Sequence, residues 1–202
     1  MTVTRAELRS DINRELSDAG QPVKWSDTTK NAEINAAIRD SWPWWYTNGE
    51  AVIGTVLDST LDYIIPVLVS AAMADAKPYA VEIEQGTGEP YMSFPEYELI
   101  NNGTNLILRF AYVPGTVGND IRIRYRIRQA ELATDAATAV NSLRSWIVYR
   151  ACAKLLGSYT QHTPAVNATA MMEQEKKYYA LAEQSKKAER ILQPVTHMQI
   201  RR

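Results

Sequence analysis

Four arginines, Arg122, Arg124, Arg126 and Arg128, alternate with Ile121, Ile123, Tyr125 and Ile127. A period of two puts the guanidinium groups on one face of a strand and the apolar side chains on the other. Like charges two residues apart repel, so a counter-charge is expected nearby. Glu82 and Glu84, on another strand of the same region, are placed to supply it. Two chemistries suit such a row. One is an ion ladder on a solvated face. The other is a surface for DNA phosphates or for an acidic partner subunit. No recognition helix, zinc finger or RNP-type aromatic pattern accompanies the row, so sequence-specific DNA reading is not expected.

Residues for catalysis are few. His162 and His197 have no Cys, His or carboxylate partner at a metal-ligand spacing. Cys152 falls on an apolar helical face with no acid–base neighbour in sequence, which describes an inert core thiol. Gly86-Thr87-Gly88 lacks the third glycine and the following Lys-Ser/Thr helix of a phosphate cradle. No catalytic, cofactor-binding or metal-binding residue is assigned, and the chain is not read as an enzyme. The block Trp42-Pro43-Trp44-Trp45-Tyr46 suits a sealed junction between layers or an aromatic platform for bases or sugars. The last residues interleave Val195, Met198 and Ile200 with polar positions after Pro194 and close on Arg201 and Arg202. They fit a frayed terminus or a docking segment.

The elements that must position these residues follow from periodicity. Thr4-Arg5-Ala6-Glu7 is a capping box. Leu8, Ile12, Leu16 and Ala19 then recur at helical spacing until Gly20 and Pro22 stop the helix. Ser26 or Asp27 caps a second helix that buries Ile34, Ala37, Ile38 and Ser41, and Pro43 kinks or restarts it. From Gly49 the pattern turns to strands. Ala51–Leu57 and Leu61–Val67 read as a hairpin around Asp58-Ser59-Thr60, and Tyr79–Glu84 alternates. Asn101-Asn102-Gly103 marks a turn before a strand at Asn105–Tyr112, and Ile121–Arg128 is the clearest strand. Two long helices are predicted over Thr134–Leu192, broken at Gln161-His162-Thr163-Pro164. The first carries two apolar faces, Leu143/Trp146/Ile147/Ala151/Leu155 and Val148/Cys152/Leu156/Tyr159, which predicts a central helix. The second carries a narrow stripe, Ala170, Gln174, Tyr178, Leu181, Ser185, Ala188 and Leu192. Glu173–Lys177 and Glu183–Lys187 pairs lie on its wet side.

The expected fold is α+β: an antiparallel bundle of about four helices interrupted by a mostly antiparallel β module. The expected parts are a discontinuous helical domain at 1–48 and 131–193, an inserted β domain at 49–130, and a tail at 194–202. At 202 residues the chain can build one good core or two small ones. A net charge of −1 argues for neither a general nucleic-acid binder nor an acidic-substrate protein. No apolar run is long enough to span a bilayer, and the first residues lack a signal-peptide core. A lone cysteine excludes an intramolecular disulfide and suits a reducing compartment.

The order of parts resembles a known family. Two helices ending in Trp42-Pro43-Trp44-Trp45 precede a β insertion with Tyr63-Ile64-Ile65-Pro66. A Pro-Gly loop and Ile121-Arg122-Ile123-Arg124-Tyr125-Arg126 lead to Leu132. The alanine-rich Tyr149-Arg150-Ala151-Cys152-Ala153-Lys154-Leu155-Leu156 and a charged helix follow. This resembles the head-to-tail adaptor (connector) proteins of tailed bacteriophages. The resemblance implies a structural virion protein at the head–tail junction, assembled in the host cytoplasm without cofactor or metal. It implies a homo-oligomeric ring, commonly dodecameric, beneath the portal. Such a ring extends the channel through which genomic DNA passes non-specifically, and it carries a tail or neck protein below. It implies that Pro194, Val195, Met198, Ile200, Arg201 and Arg202 dock against the portal. A non-specific nucleic-acid-binding module using the Arg122–Arg128 strand is the alternative.

Overall fold

The computed structural model describes residues 1–18, 25–160 and 165–192. In chain order it contains β1 (Thr2–Thr4), α1 (Arg5–Asp18), α2 (Asp27–Asp40), β2 (Thr47–Thr55), β3 (Asp62–Ile65) and α3 (Val67–Ala72). Then come β4 (Ala80–Glu84), β5 (Tyr91–Ser93), β6 (Tyr97–Asn101), β7 (Leu106–Phe110) and β8 (Asp120–Ile127). The chain continues through β9 (Thr138–Val140), a 3-10 turn (Asn141–Leu143), α4 (Arg144–Thr160) and α5 (Ala165–Leu192). The fold is α+β. It divides into two compact units, Met1–Trp45 with Gln129–Arg202, and Tyr46–Arg128. The predicted helical position Ala19, the stop signals Gly20 and Pro22, the break at 161–164, both histidines and the segment Pro194–Arg202 lie outside the described residues.

In the helical unit, local chemistry sets the helix starts. Thr4 N donates to Glu7 Oε2 at 2.7 Å and Glu7 N donates to Thr4 Oγ1 at 3.2 Å, a closed capping box. Ser26 Oγ accepts from Thr29 N at 3.1 Å and caps α2. α4 packs against α1, α2 and α5. The described residues of both apolar stripes are buried, Leu143, Trp146, Ile147, Ala151 and Leu155, and Val148, Cys152 and Leu156, while the Tyr159 side chain lies outside the described residues. Its own chain therefore covers both stripes, and neither is left over for a neighbouring copy. Trp146 Nε1 donates to Ala37 O at 3.1 Å, and the Trp44 ring meets it edge-on at 4.9 Å. Trp44 and Trp45 are buried in this core, so they offer no platform for a base.

Two expectations in this unit are corrected. The predicted helix does not start at Thr134. β9 pairs antiparallel with β1, Thr2 opposite Val140 and Thr4 opposite Thr138, and α4 begins only at Arg144. β-branched Thr138 and Val140 favour that ladder over a helical turn. The buried stripe of α5 is also rotated from the predicted one. Met171, Tyr178 and Ala182 are buried, while Ala170 and Ala188 are exposed. Tyr178, common to both stripes, anchors the helix: its hydroxyl donates to Glu15 O at 2.9 Å and its ring lies 6.2 Å from that of Tyr149.

In the β unit two sheets, β2-β8-β4-β5 and β3-β7-β6, share one core. Ile121, Ile123, Tyr125, Val81 and Ile83 of the first sheet meet Tyr63, Ile65, Leu108 and Phe110 of the second. The predicted hairpin over 51–67 does not form. β2 pairs with β8 and β3 pairs with β7, in different sheets. Tyr63 explains the turn: its hydroxyl accepts from Leu57 N at 3.0 Å and donates to Thr60 O at 3.3 Å. A side chain holds the connection, so no ladder is needed. The predicted second strand also stops early, because α3 starts at Val67. The Asn101-Asn102-Gly103 turn joins β6 to β7, with Gly103 at φ +85°.

Candidate functional site: the arginine face and the open sheet

β8 runs between β2 and β4, so its arginines face carboxylates on both flanking strands. Register places Glu82 opposite Arg122 and Glu50 opposite Arg124. Arg122 donates to Glu82 Oε2 through Nε at 2.8 Å, with Nη2 at 2.6 Å. Arg124 Nε donates to the same oxygen at 3.1 Å. Glu50 stands 3.9 Å from Arg122. Arg126 pairs with Asp75 at 3.6 Å, and Arg128 Nη2 donates to Ala74 O at 3.0 Å. Two rings complete the face. Arg122 lies 3.7 Å over Tyr91 and Arg126 lies 4.7 Å over Tyr46. Burial raises the Tyr91 phenol above its ordinary range, and Asp120 and Glu84 add to the rise.

The row is thus an ion ladder. Glu82 bridges two arginines, while Glu84 turns elsewhere. Its Oε1 accepts from Gly88 N at 2.8 Å, closing the loop after β4. Asp75 and Glu50 were not singled out by sequence, because they reach the row from a loop and from a strand with weak alternation. Between residues 46 and 128 ten Asp and Glu oppose six Lys and Arg. A phosphate surface needs surplus positive charge, and this unit carries the opposite balance.

The outer face of the β3-β7-β6 sheet is the second feature. Asp62, Arg109 and Glu98 stand in one row across it, and Ile64, Ile107 and Ile100 in the next. Arg109 binds Asp62 through two bonds of 2.6 Å and lies 3.8 Å from Glu98. That bidentate pairing, first through its hydrogen bonds, holds the Asp62 carboxyl below the usual range. Ile64 is 55% exposed, and α3 continues the apolar surface with Val67 and Leu68, at 67% and 86%. An open groove of about 460 Å³ lies beside β6, lined by Glu96, Tyr97, Glu98, Arg109, Phe110 and Ala111. Ile64 to Val67 falls within the strand the sequence predicts over Leu61–Val67, and a strand reading hides the exposure of Ile64, Val67 and the following Leu68.

Cys152 is fully buried, and burial, with Glu15 adding to it, pushes its thiol far up. Among the described residues no group of three or more His, Cys, Asp or Glu is placed to hold a metal, and no helix is long and apolar enough to cross a membrane. The docking residues expected from the resemblance, Pro194, Val195, Met198, Ile200, Arg201 and Arg202, lie outside the described residues.

No family model and no curated protein matches the chain. Among solved structures, one described as "Neck of empty GTA particle computed with C6 symmetry" is similar at 10% identity. The match covers 88% of this chain and 93% of that one, with a TM-score of 0.30. At that score the likeness carries no functional argument.

Proposed function

We propose that this chain is a structural adaptor at the head-to-tail junction of a tailed bacteriophage. It forms a ring, binds the portal on one side and a tail or neck component on the other, and lets genomic DNA pass. It assembles in the host cytoplasm and carries out no catalysis. One observation carries the reading: two phrases of the family resemblance fall at the borders of the two units. Trp44-Trp45 ends the first helical half at 45, and the Ile-Arg alternation ends the β unit at 128. Exposed Ile64, Val67 and Leu68 support the same reading, because an assembly subunit keeps apolar surface for its neighbours. The segment Pro194–Arg202 serves as an assembly contact. The ladder on β8 stiffens the sheet in this reading and leaves little charge for phosphates.

Negative-stain imaging of the purified chain, alone and with portal protein from the same genome, tests the proposal. Closed rings, or chain seated on portal rings, are expected. A chain that stays monomeric in both samples and binds no portal overturns it.

A further inference from the structure

The β3-β7-β6 sheet ends on β6, an edge strand among the described residues. Antiparallel ladders alternate bonded and non-bonded pairs. The bonds Asn102 N to Asn105 O at 3.2 Å and Ala111 N to Glu96 O at 3.3 Å fix the alternation. Glu98 and Ile100 therefore bond to β7, and Leu99 and Asn101 turn their N–H and C=O to the open edge. Such an edge is a template for an added strand.

The side chains specify which strand fits. Glu98 and Ile100 share the outer face. Arg109 is bound bidentately to Asp62, so Glu98 at 3.8 Å is only weakly compensated. The incoming strand needs an apolar residue opposite Ile100 and a cation two positions on, opposite Glu98. Thr196–Arg202 alternates in that way, with Met198, Ile200 and Arg202 on one face. Antiparallel pairing of Ile200 with Ile100 sets Arg202 against Glu98, with Glu96 just beyond. A one-residue slip sets Gln199 or Arg201 on Ile100. Parallel pairing carries Arg202 away, toward Asn102.

We propose that β6 receives residues 196–202 of a second copy of this chain as an added antiparallel strand. The inference rests on the ring reading above. A donor segment on one copy and a receiving edge on the next make a head-to-tail contact, the kind that closes into rings. The resemblance gives this segment to the portal, whereas the pairing pattern gives it to a neighbouring subunit.

Cross-linking of full-length chains tests it. Ile100→Cys and Ile200→Cys chains are mixed under mild oxidation. Native Cys152 is buried and provides the blank. The 100/200 pair is a non-bonded one, with Cα atoms close enough for a disulfide. A covalent pair of chains is expected. Ile64→Cys, three strand spacings or about 14 Å from residue 200, should link at least about tenfold less. Glu98→Lys should slow the linkage by about tenfold, and Arg202→Glu in the donor chain should restore it. Equal linkage at residue 64, or indifference to Glu98→Lys, overturns the proposal. So does a chain carrying both cysteines that closes only on itself. Rings that assemble without the disulfide sink this contact and spare the ring reading; no rings and no disulfide sink both.

Discussion

Glu82 bridges Arg122 and Arg124, and its replacement by Gln tests the ladder as a structural device. The Glu82 side chain is 15% exposed and that of Arg122 is 19% exposed. Exposed ion pairs contribute roughly 0–1 kcal/mol. Stranding one charge of a fully buried pair costs roughly 3–5 kcal/mol. At this intermediate burial, Glu82→Gln takes the shared carboxylate from Arg124 and leaves Arg122 only Glu50 at 3.9 Å, and should cost about 2 kcal/mol. Arg122→Gln should cost about 1 kcal/mol, since Glu82 keeps Arg124 while the contact with Tyr91 is lost. In the double variant the Arg122 charge is no longer stranded. Its cost should fall short of the sum of the singles by about 1 kcal/mol. Urea unfolding followed by circular dichroism, with the m-value held constant, measures the cycle. Costs that add to within about 0.3 kcal/mol would refute the coupling and free the row for another role.

Three further outcomes are expected. A Cβ at Gly49 meets Ile127 Cδ1 at 2.7 Å and the Tyr125 ring at 2.8 Å, and Tyr125 is buried. Gly49→Ala should therefore cost about 1–3 kcal/mol in a thermal melt, and an unchanged midpoint would show that the ring moves freely. Burial works to raise the Asp40 carboxyl, but hydrogen bonds from Lys154 and Arg150 outweigh it and hold it below the ordinary range. A lowered folded-state value gives stability that is present above the unfolded value of about 4 and lost as pH falls through the folded one. Asp40→Asn should thus destabilise the chain near neutrality and lose its effect in acid; a pH-independent cost would contradict this ion pairing. Cys152 should react with a thiol reagent at least about a hundredfold more slowly in the folded chain than in denaturant. Equal rates would mean that the α4 face is open.

Much of the architecture was legible where one residue type enforces one geometry. The Thr4–Glu7 box closes, Ser26 caps α2, and the strict alternation at 121–127 is a strand with its isoleucines inward. Misreadings arose where tertiary partners decide. Nothing local in Thr138–Val140 announces pairing with Thr2–Thr4, more than 130 residues away. The turn at 58–60 looks like a hairpin until the Tyr63 hydroxyl takes over its backbone groups. Double apolar facing predicts a central helix, and α1, α2 and α5 do cover both faces of α4. Apolar periodicity tells that a face is buried, not by which chain. Glu82 was readable as a partner of the arginines because both strands alternate. Asp75 and the open edge of β6 were not, because loops and sheet order are set by the whole fold.

Native mass spectrometry of the purified chain, with and without portal protein, tests ring formation most directly. One closed species of fixed subunit number is expected, free or bound to the portal ring. A monomer that persists at high concentration and in the presence of portal contradicts it.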